Sequence, residues 1–191
     1  MKIFKGILFV LLLLLGLVFI FTPYRKHSDI YDGSRFISNE ILINAPAGKV
    51  YQYLGNSDNA STWSVFVDHI IPLNADSIPD GQVGSRRRCY KNADQKGLQW
   101  DETILINETN KRRRISCYNL KGFPMVADNI ATEQIYTPTG DDRTNLKFTV
   151  FYLKEPDRWT FFKTIIGGWY IKYIFYRNME NIKKEVENLP L

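Results

Sequence analysis

Ile7 to Phe21 is a single apolar run, fifteen residues without a charge or strong polar group and with five consecutive leucines from Leu11 to Leu15. A stretch of this kind is not left uncovered on a water-soluble domain, so it divides the chain before anything else is read. Fifteen residues rise about 22 Å as a helix, short of the ~30 Å hydrocarbon core of a bilayer. Counting Ile3 and Phe4, with Lys2 and Lys5 snorkelling outward and Thr22 to Tyr24 in the far interface, brings the segment to spanning length. A cleaved signal peptide would need a small-residue site after the run, and Phe19-Ile20-Phe21-Thr22-Pro23-Tyr24 provides none. The expectation is therefore one N-terminal transmembrane helix, a single-pass anchor over residues 1–24, favoured over a signal peptide or an apolar core helix. Lys2, Lys5 and the α-amino group face Arg25 and Lys26 across it, a near tie that leans towards the N-terminus inside. That lean puts the following domain on the outer face of the membrane, periplasmic or extracellular.

The anchor changes the meaning of the basic pI of about 9.1. Met1 to Lys26 holds four Lys or Arg and no acid, which leaves 21 basic against 20 acidic residues in the remainder. Nucleic-acid binding would want a concentrated basic excess, so no nucleic-acid partner is expected. Two cysteines, Cys89 and Cys117, exclude a disulfide framework and a four-cysteine metal site. Only His27 and His69 are present, and no H-E-x-x-H, C-x-x-C, G-x-S-x-G or Walker-type loop occurs. No metal, no cofactor and no serine-type triad is expected. The oligomeric state stays open.

Residues 25–35 are polar and read as a linker, with one domain over 36–191. Ile37, Ile41 and Ile43 mark a first strand that ends at Ala45-Pro46, and Ala47 to Leu54 carries Val50, Tyr51 and Leu54 at helical spacing. Six strand-length segments follow, at 65–73, 83–91, 98–107, 111–119, 129–137 and 144–153, separated by turns such as Pro79-Asp80-Gly81 and Glu108-Thr109-Asn110. Short turns imply antiparallel neighbours and hence a meander. From Asp157, a candidate N-cap, the pattern returns to helix, with Ile166, Trp169, Tyr173, Tyr176, Ile182, Val186 and Leu189 spaced by threes and fours. The expected class is α+β: a curved antiparallel sheet of about seven strands around a long C-terminal helix.

Period-two alternation isolates one unusual group. Leu98, Trp100, Glu102, Ile104 and Ile106 share a strand face, so Glu102 lies among apolar residues and must be paired, hydrogen-bonded or neutralised. Arg87, on the preceding strand, and Arg113, on the following one, are the available cations. The alternative is a cross-strand ion-pair ladder on a solvated sheet face. Arg86-Arg87-Arg88 and Arg112-Arg113-Arg114 alternate faces and make no continuous basic patch. Cys89 and Cys117 fall on strands separated by a third, about 9 to 10 Å apart and beyond disulfide reach, so both are expected as free buried thiols. The stretch Trp159 to Tyr170 is aromatic on nearly every side and reads either as core or as an interfacial foot through which lipid enters.

These residues in this order resemble the START-like (SRPBCC) superfamily of helix-grip proteins, in its polyketide cyclase/dehydrase branch. The carriers are ILINAPAGKVYQYLGNSDNASTW (Ile41 to Trp63), VGSRRRCY (Val83 to Tyr90), the WDETILINETNKRRRISCYNL block, Tyr136-x-Pro138, Thr144-x-Leu146-x-Phe148 and the terminal helix. The Gly-Thr usual before the last strand is Arg143-Thr144 here. The resemblance implies a cavity between sheet and helix for lipids, polyketides or other apolar molecules, and no particular reaction. Its lining would be Trp63, Trp100, Ile104, Ile115, Phe148, Val150, Trp169 and Tyr173, with Arg87 and Glu102 as polar members. The expected function is a membrane-anchored protein that binds a hydrophobic small molecule, a lipid or isoprenoid-like molecule from the adjacent bilayer. The rivals are a cyclase or aromatase using Glu102 or a cavity Tyr as acid/base, and a tethered interaction module with no ligand.

Overall fold

The computed structural model describes residues 2–20, 25–26, 35–123, 130–152 and 158–189; of these, the side chains of 2–3, 18–20, 25–26, 35 and 158–166 are left undescribed. Helix α1 (Lys2–Ile20) precedes a two-residue strand β1 (Arg25–Lys26) and the first long strand, β2 (Arg35–Ile43). Ala47 follows Pro46, whose φ of −59° and missing N–H suit a helix start, and opens α2 (Ala47–Gly55). Ala47, Val50, Tyr53 and Leu54 form its buried stripe, and the chain becomes extended at Asn56. A 3₁₀ turn (Ser57–Asn59) and a short helix α3 (Ala60–Trp63) complete the insert. Then come β3 (His69–Pro72), β4 (Arg86–Tyr90), β5 (Gln99–Glu108), β6 (Arg112–Lys121), β7 (Ile130–Pro138), β8 (Thr144–Tyr152) and the long helix α4 (Arg158–Asn188).

All eight strands form one antiparallel sheet in the order β1-β2-β8-β7-β6-β5-β4-β3. The meander from β3 to β8 is the one expected, and β2 pairs with β8 along nine residues, from Arg35 opposite Tyr152 to Ile43 opposite Thr144. The added strand β1 lies inside the segment read as a linker, and the rest of that segment falls outside the described residues. Asp157, the expected N-cap of the last helix, also lies outside them. The turn after β5 is closed by Asn110 in the left-handed region at φ 59°, where an asparagine side chain tolerates what most residues do not.

Helix α4 lies against the sheet and contacts β2, α2 and α3. Its seam is Ile171, Ile174, Met179, Ile182 and Val186, all buried. Trp169, Tyr173 and Tyr176, expected on the packed side, are exposed on the opposite side instead, and Leu189, one residue beyond the helix, is exposed as well. Two stripes on this helix share the three-four spacing, one aliphatic and one aromatic, and periodicity does not say which meets the sheet. The aliphatic stripe does, because branched and flexible side chains fill the grooves of a twisted sheet while the Tyr hydroxyls keep water.

Alternation also fails at one point on β5. The register slips between Ile104 and Ile106, so Leu105 is extra and the faces exchange beyond it. Ile106 then pairs with Arg114, and Asn107 pairs with Arg113 on the inner side. Upstream of the bulge, Trp100, Glu102 and Ile104 face inward as expected.

Candidate functional site

Between the inner face of the sheet and α4 the packing is incomplete. One half of the interior, around Ile43, Val50, Leu146, Met179, Ile182 and Val186, is filled. The other half, formed by β4 to β8, α3 and the middle of α4, encloses a cavity of about 100 Å³. Phe148 and Phe175 meet edge to face, with centroids 5.0 Å apart, and both stand on its wall. The fold leaves room there because short residues, Cys89, Cys117, Ala60 and Thr132, line positions opposite the aromatics.

Seven of the ten residues expected around the cavity are on its wall: Trp63, Arg87, Trp100, Glu102, Ile115, Phe148 and Val150. Three are not. Ile104, 1% exposed, is sealed into the core at the point where β5 bulges. Trp169 and Tyr173 are 42% and 53% exposed on the outward side of α4, for the reason given above. Phe66, Phe123, Phe175 and Asn178 line the cavity without having been expected. Phe66 and Phe123 sit in loops, where no periodicity marks them. Phe175 and Asn178 border the aliphatic seam of α4, and choosing that seam would have revealed them.

The polar end of the cavity is a buried ion pair. Arg87 and Glu102 face each other across β4 and β5, and Arg87 Nε donates to Glu102 Oε2 at 2.8 Å. The second carboxylate oxygen, Oε1, accepts from Trp100 Nε1 at 2.8 Å. Arg87 also donates through Nη1 to Ser57 Oγ at 3.0 Å, and Ser57 in turn donates to Asp80. The turn before α3 is thus tied to the sheet. Burial pulls the Arg87 guanidinium down most strongly of any single influence, but Glu102, with Cys89 and Asp80 behind it, holds it above its ordinary value.

The two thiols flank this pair. Cys89 is opposite Trp100 and Cys117 is opposite Glu102, and both are free and buried. Burial pushes each thiol well above its ordinary value, and the nearby carboxylate of Glu102 pushes the same way. Only a thiolate is a good nucleophile. A thiol reagent is therefore expected to leave both cysteines unmodified in the native chain and to titrate two per chain once denaturant is added; rapid modification of either without unfolding would contradict this.

The remaining arginines of the two triplets divide between faces. On the outer side, Arg88 Nε and Nη2 grip Asp101 at 2.6 and 2.9 Å, and Arg112 and Arg114 share Glu133. The hydrogen bonds from Arg88, opposed by burial, hold the Asp101 carboxyl below its usual range. The ladder considered for Glu102 thus exists, but it runs through Asp101 and Glu133 on the other face.

Arg113 stands on the inner side, 3% exposed, with its guanidinium 4.7 Å from the centroid of Tyr51. Its Nε and Nη1 have no hydrogen-bond partner among the described residues, a cost that a cation–π contact of about 0.5–2 kcal/mol only partly offsets. Replacing a buried charge by a side chain of similar reach is often neutral or better. Arg113→Met is accordingly expected to unfold at the same or a higher urea midpoint than the wild type, and a clear loss would mean that the guanidinium is better satisfied than its geometry implies.

No protein-family model matches this chain, and no curated protein matches its sequence. Solved structures do match. Norcoclaurine synthase from Thalictrum flavum, in complex with dopamine and hydroxybenzaldehyde, superposes with a TM-score of 0.61 at 13% identity, over 83% of this chain and 90% of that one. Protein MLL2253 from Mesorhizobium loti gives a TM-score of 0.61 at 17% identity, over 82% and 100%. Ara h 8.0201 gives 0.59 at 12% identity, over 81% and 98%. At such identities the likeness is one of fold. The chain shares with these structures the helix-grip fold, a curved antiparallel sheet around a long C-terminal helix.

Proposed function

We propose that this chain binds a hydrophobic molecule in the cavity between its sheet and α4, and that it does so while held at a membrane by α1. The ligand is a lipid or isoprenoid-like molecule drawn from the adjacent bilayer. The observation that carries the binding reading is the half-filled interior: an apolar wall with one internally neutralised ion pair, beside a half that is fully packed. Its lining, mostly apolar with few fixed polar groups, is that of small-molecule sites; at about 100 Å³ it is smaller than the roughly 300–1,000 Å³ of drug-sized sites, so a long ligand enters only as the cavity opens. Norcoclaurine synthase, of the same fold, is known in complex with two small aromatic molecules.

Among the described residues no helix is long and apolar enough to cross a membrane. The anchoring proposal rests instead on what α1 leaves uncovered. Its large apolar side chains from Phe4 to Leu17 are 39–72% exposed, far more contiguous apolar surface than a water-soluble domain presents. Its nineteen residues rise about 28 Å, close to the hydrocarbon thickness. Helix α1 touches α4, whose outward side carries Trp169, Tyr170, Tyr173 and Tyr176, residue types that favour the lipid headgroup level. Lys2 and Lys5 on the inner side would place the domain on the outer face.

Catalysis by Glu102 is the less supported reading. Both of its oxygens are hydrogen-bonded within the wall and its charge is matched by Arg87, so its contacts are those of a structural partner. Binding and anchoring are tested together by expressing the full chain, washing the membranes with alkaline carbonate, and extracting the retained protein in mild detergent for native mass spectrometry. Retention through the wash and a lipid-sized mass on the wild type that is lost in Ile115→Trp, which fills the cavity, are expected. Release by carbonate removes the anchor, and an identical ligand profile in the two proteins removes the binding reading.

A further inference from the structure

The open half of the interior lies at one particular end of the sheet. Strand β1 pairs with the start of β2, Arg25 opposite Phe36 and Lys26 opposite Arg35, and Arg35 is opposite Tyr152, the last residue of β8. Only four residues separate Ile20, the last of α1, from Arg25, so chain length alone holds this end of the sheet within about 18 Å of the end of α1. The nine residues of β2 then rise about 27 Å to Ile43 at the far end. On each element the cavity takes the near positions and the filled half takes the far ones: Val150 and Tyr152 against Leu146 on β8, Ile130 against Tyr136 on β7, and Ile171 against Ile182 on α4.

The surface changes along the same axis. Helix α4 runs beside β2 away from β1, since Asn39 Nδ2 donates to the Lys172 carbonyl at 2.9 Å and the Asn44 N–H donates to Glu187 Oε1 at 2.7 Å. Its outward side is aromatic behind the cavity, at Trp169, Tyr170, Tyr173 and Tyr176, and polar behind the filled half, at Glu180, Lys184 and Asn188, all exposed. The turns have the same polarity. Exposed Lys91, Lys96 and Lys121 stand with Asp94 at the near end, and exposed Glu108, Asp141 and Asp142 stand with Lys111 and Arg143 at the far end. Tyrosine and tryptophan flanked by lysine is the composition of a surface that lies in a phospholipid headgroup layer.

We infer that the domain docks on the bilayer with this near end and the aromatic side of α4, so that the open half of the interior is the membrane-proximal half and the filled half points away. The inference rests on the membrane reading of α1 above. The occupant of the face is the lipid surface, because the short tether keeps that surface at high effective concentration and the face continues the apolar surface of α1, which touches α4. An apolar ligand then passes between leaflet and cavity without crossing water, whose cost for such a molecule grows with its exposed area.

The test uses the full chain in vesicles of phosphatidylcholine and phosphatidylglycerol that contain a lipid with a nitroxide on its headgroup. Cys89 and Cys117 are free and buried, so one added surface cysteine takes a fluorescent label by itself. Two near–far pairs of exposed positions are labelled: Lys121→Cys with Asp141→Cys on the sheet, and Tyr170→Cys with Lys184→Cys on α4. In each pair the near label is expected to be quenched several-fold more than the far one. A far label quenched as much as its near partner, in a chain that floats with the vesicles, overturns the docking inference and leaves the anchor standing. Self-quenching of the near labels with little response to the nitroxide lipid puts a second copy on this face and overturns it as well. A chain that does not float with the vesicles removes the anchor, and the inference falls with it.

Discussion

Arg87→Met is expected to be the most damaging single change in the domain, with a loss of about 3–5 kcal/mol in urea unfolding at neutral pH. The variant keeps most of the side chain's volume and removes only the charge and its donors. What remains is a carboxylate on a cavity wall, with hydrogen bonds from Trp100 and, weakly, from the Cys117 thiol, and no cation paired with it. The cost is that of the orphaned charge rather than the net worth of the pair, and this yields a second expectation. Arg87→Met with Glu102→Gln should recover most of the loss, because a neutral amide needs no counter-ion. If the double variant is no more stable than the single one, the pair is not what the inner face depends on, and the tie from Arg87 through Ser57 to Asp80 would have to carry the effect.

Ile182→Ala should cost about 2–5 kcal/mol by the same measurement. Ile182 is 0% exposed and sits in the filled half of the interior with Ile43, Val50, Leu146, Met179 and Val186. Removing its three outer carbons opens a void among side chains that are held by the sheet on one side and by α2 on another, so little collapse can follow. Tyr173→Ala, nine residues earlier on the same helix, should cost far less, since Tyr173 is over half exposed. Comparable losses at the two positions would mean that α4 is packed through its aromatic stripe after all.

The order of elements was legible in the sequence because each signal for it is local. Ala45-Pro46 stops β2 and starts α2, the Gly, Asn and Asp clusters separate the six meander strands, and short turns leave antiparallel pairing as the only choice. Alternation alone put Trp100, Glu102 and Ile104 on one face of β5, which holds as long as the pleat is unbroken. Ile106 was misplaced because one extra residue, Leu105, exchanges the faces, and a bulge leaves no mark in a run of apolar residues. Trp169 and Tyr173 were misplaced because hydrophobicity scales count a tyrosine as core material, while a helix with two suitable stripes is oriented only by what it packs against.

The apolar run at the start, the strand and helix sequence, the neutral balance of the domain and the isolation of Glu102 among apolar residues were all determined by the sequence itself, since each depends on neighbours within a few positions along the chain. The tertiary structure alone decided that Arg87 rather than Arg113 neutralises Glu102, and that one half of the interior stays open. Those facts depend on distances between residues far apart in the chain. A periodic pattern fixes which face a side chain takes, but how completely two faces fill the space between them is set only when sheet and helix meet.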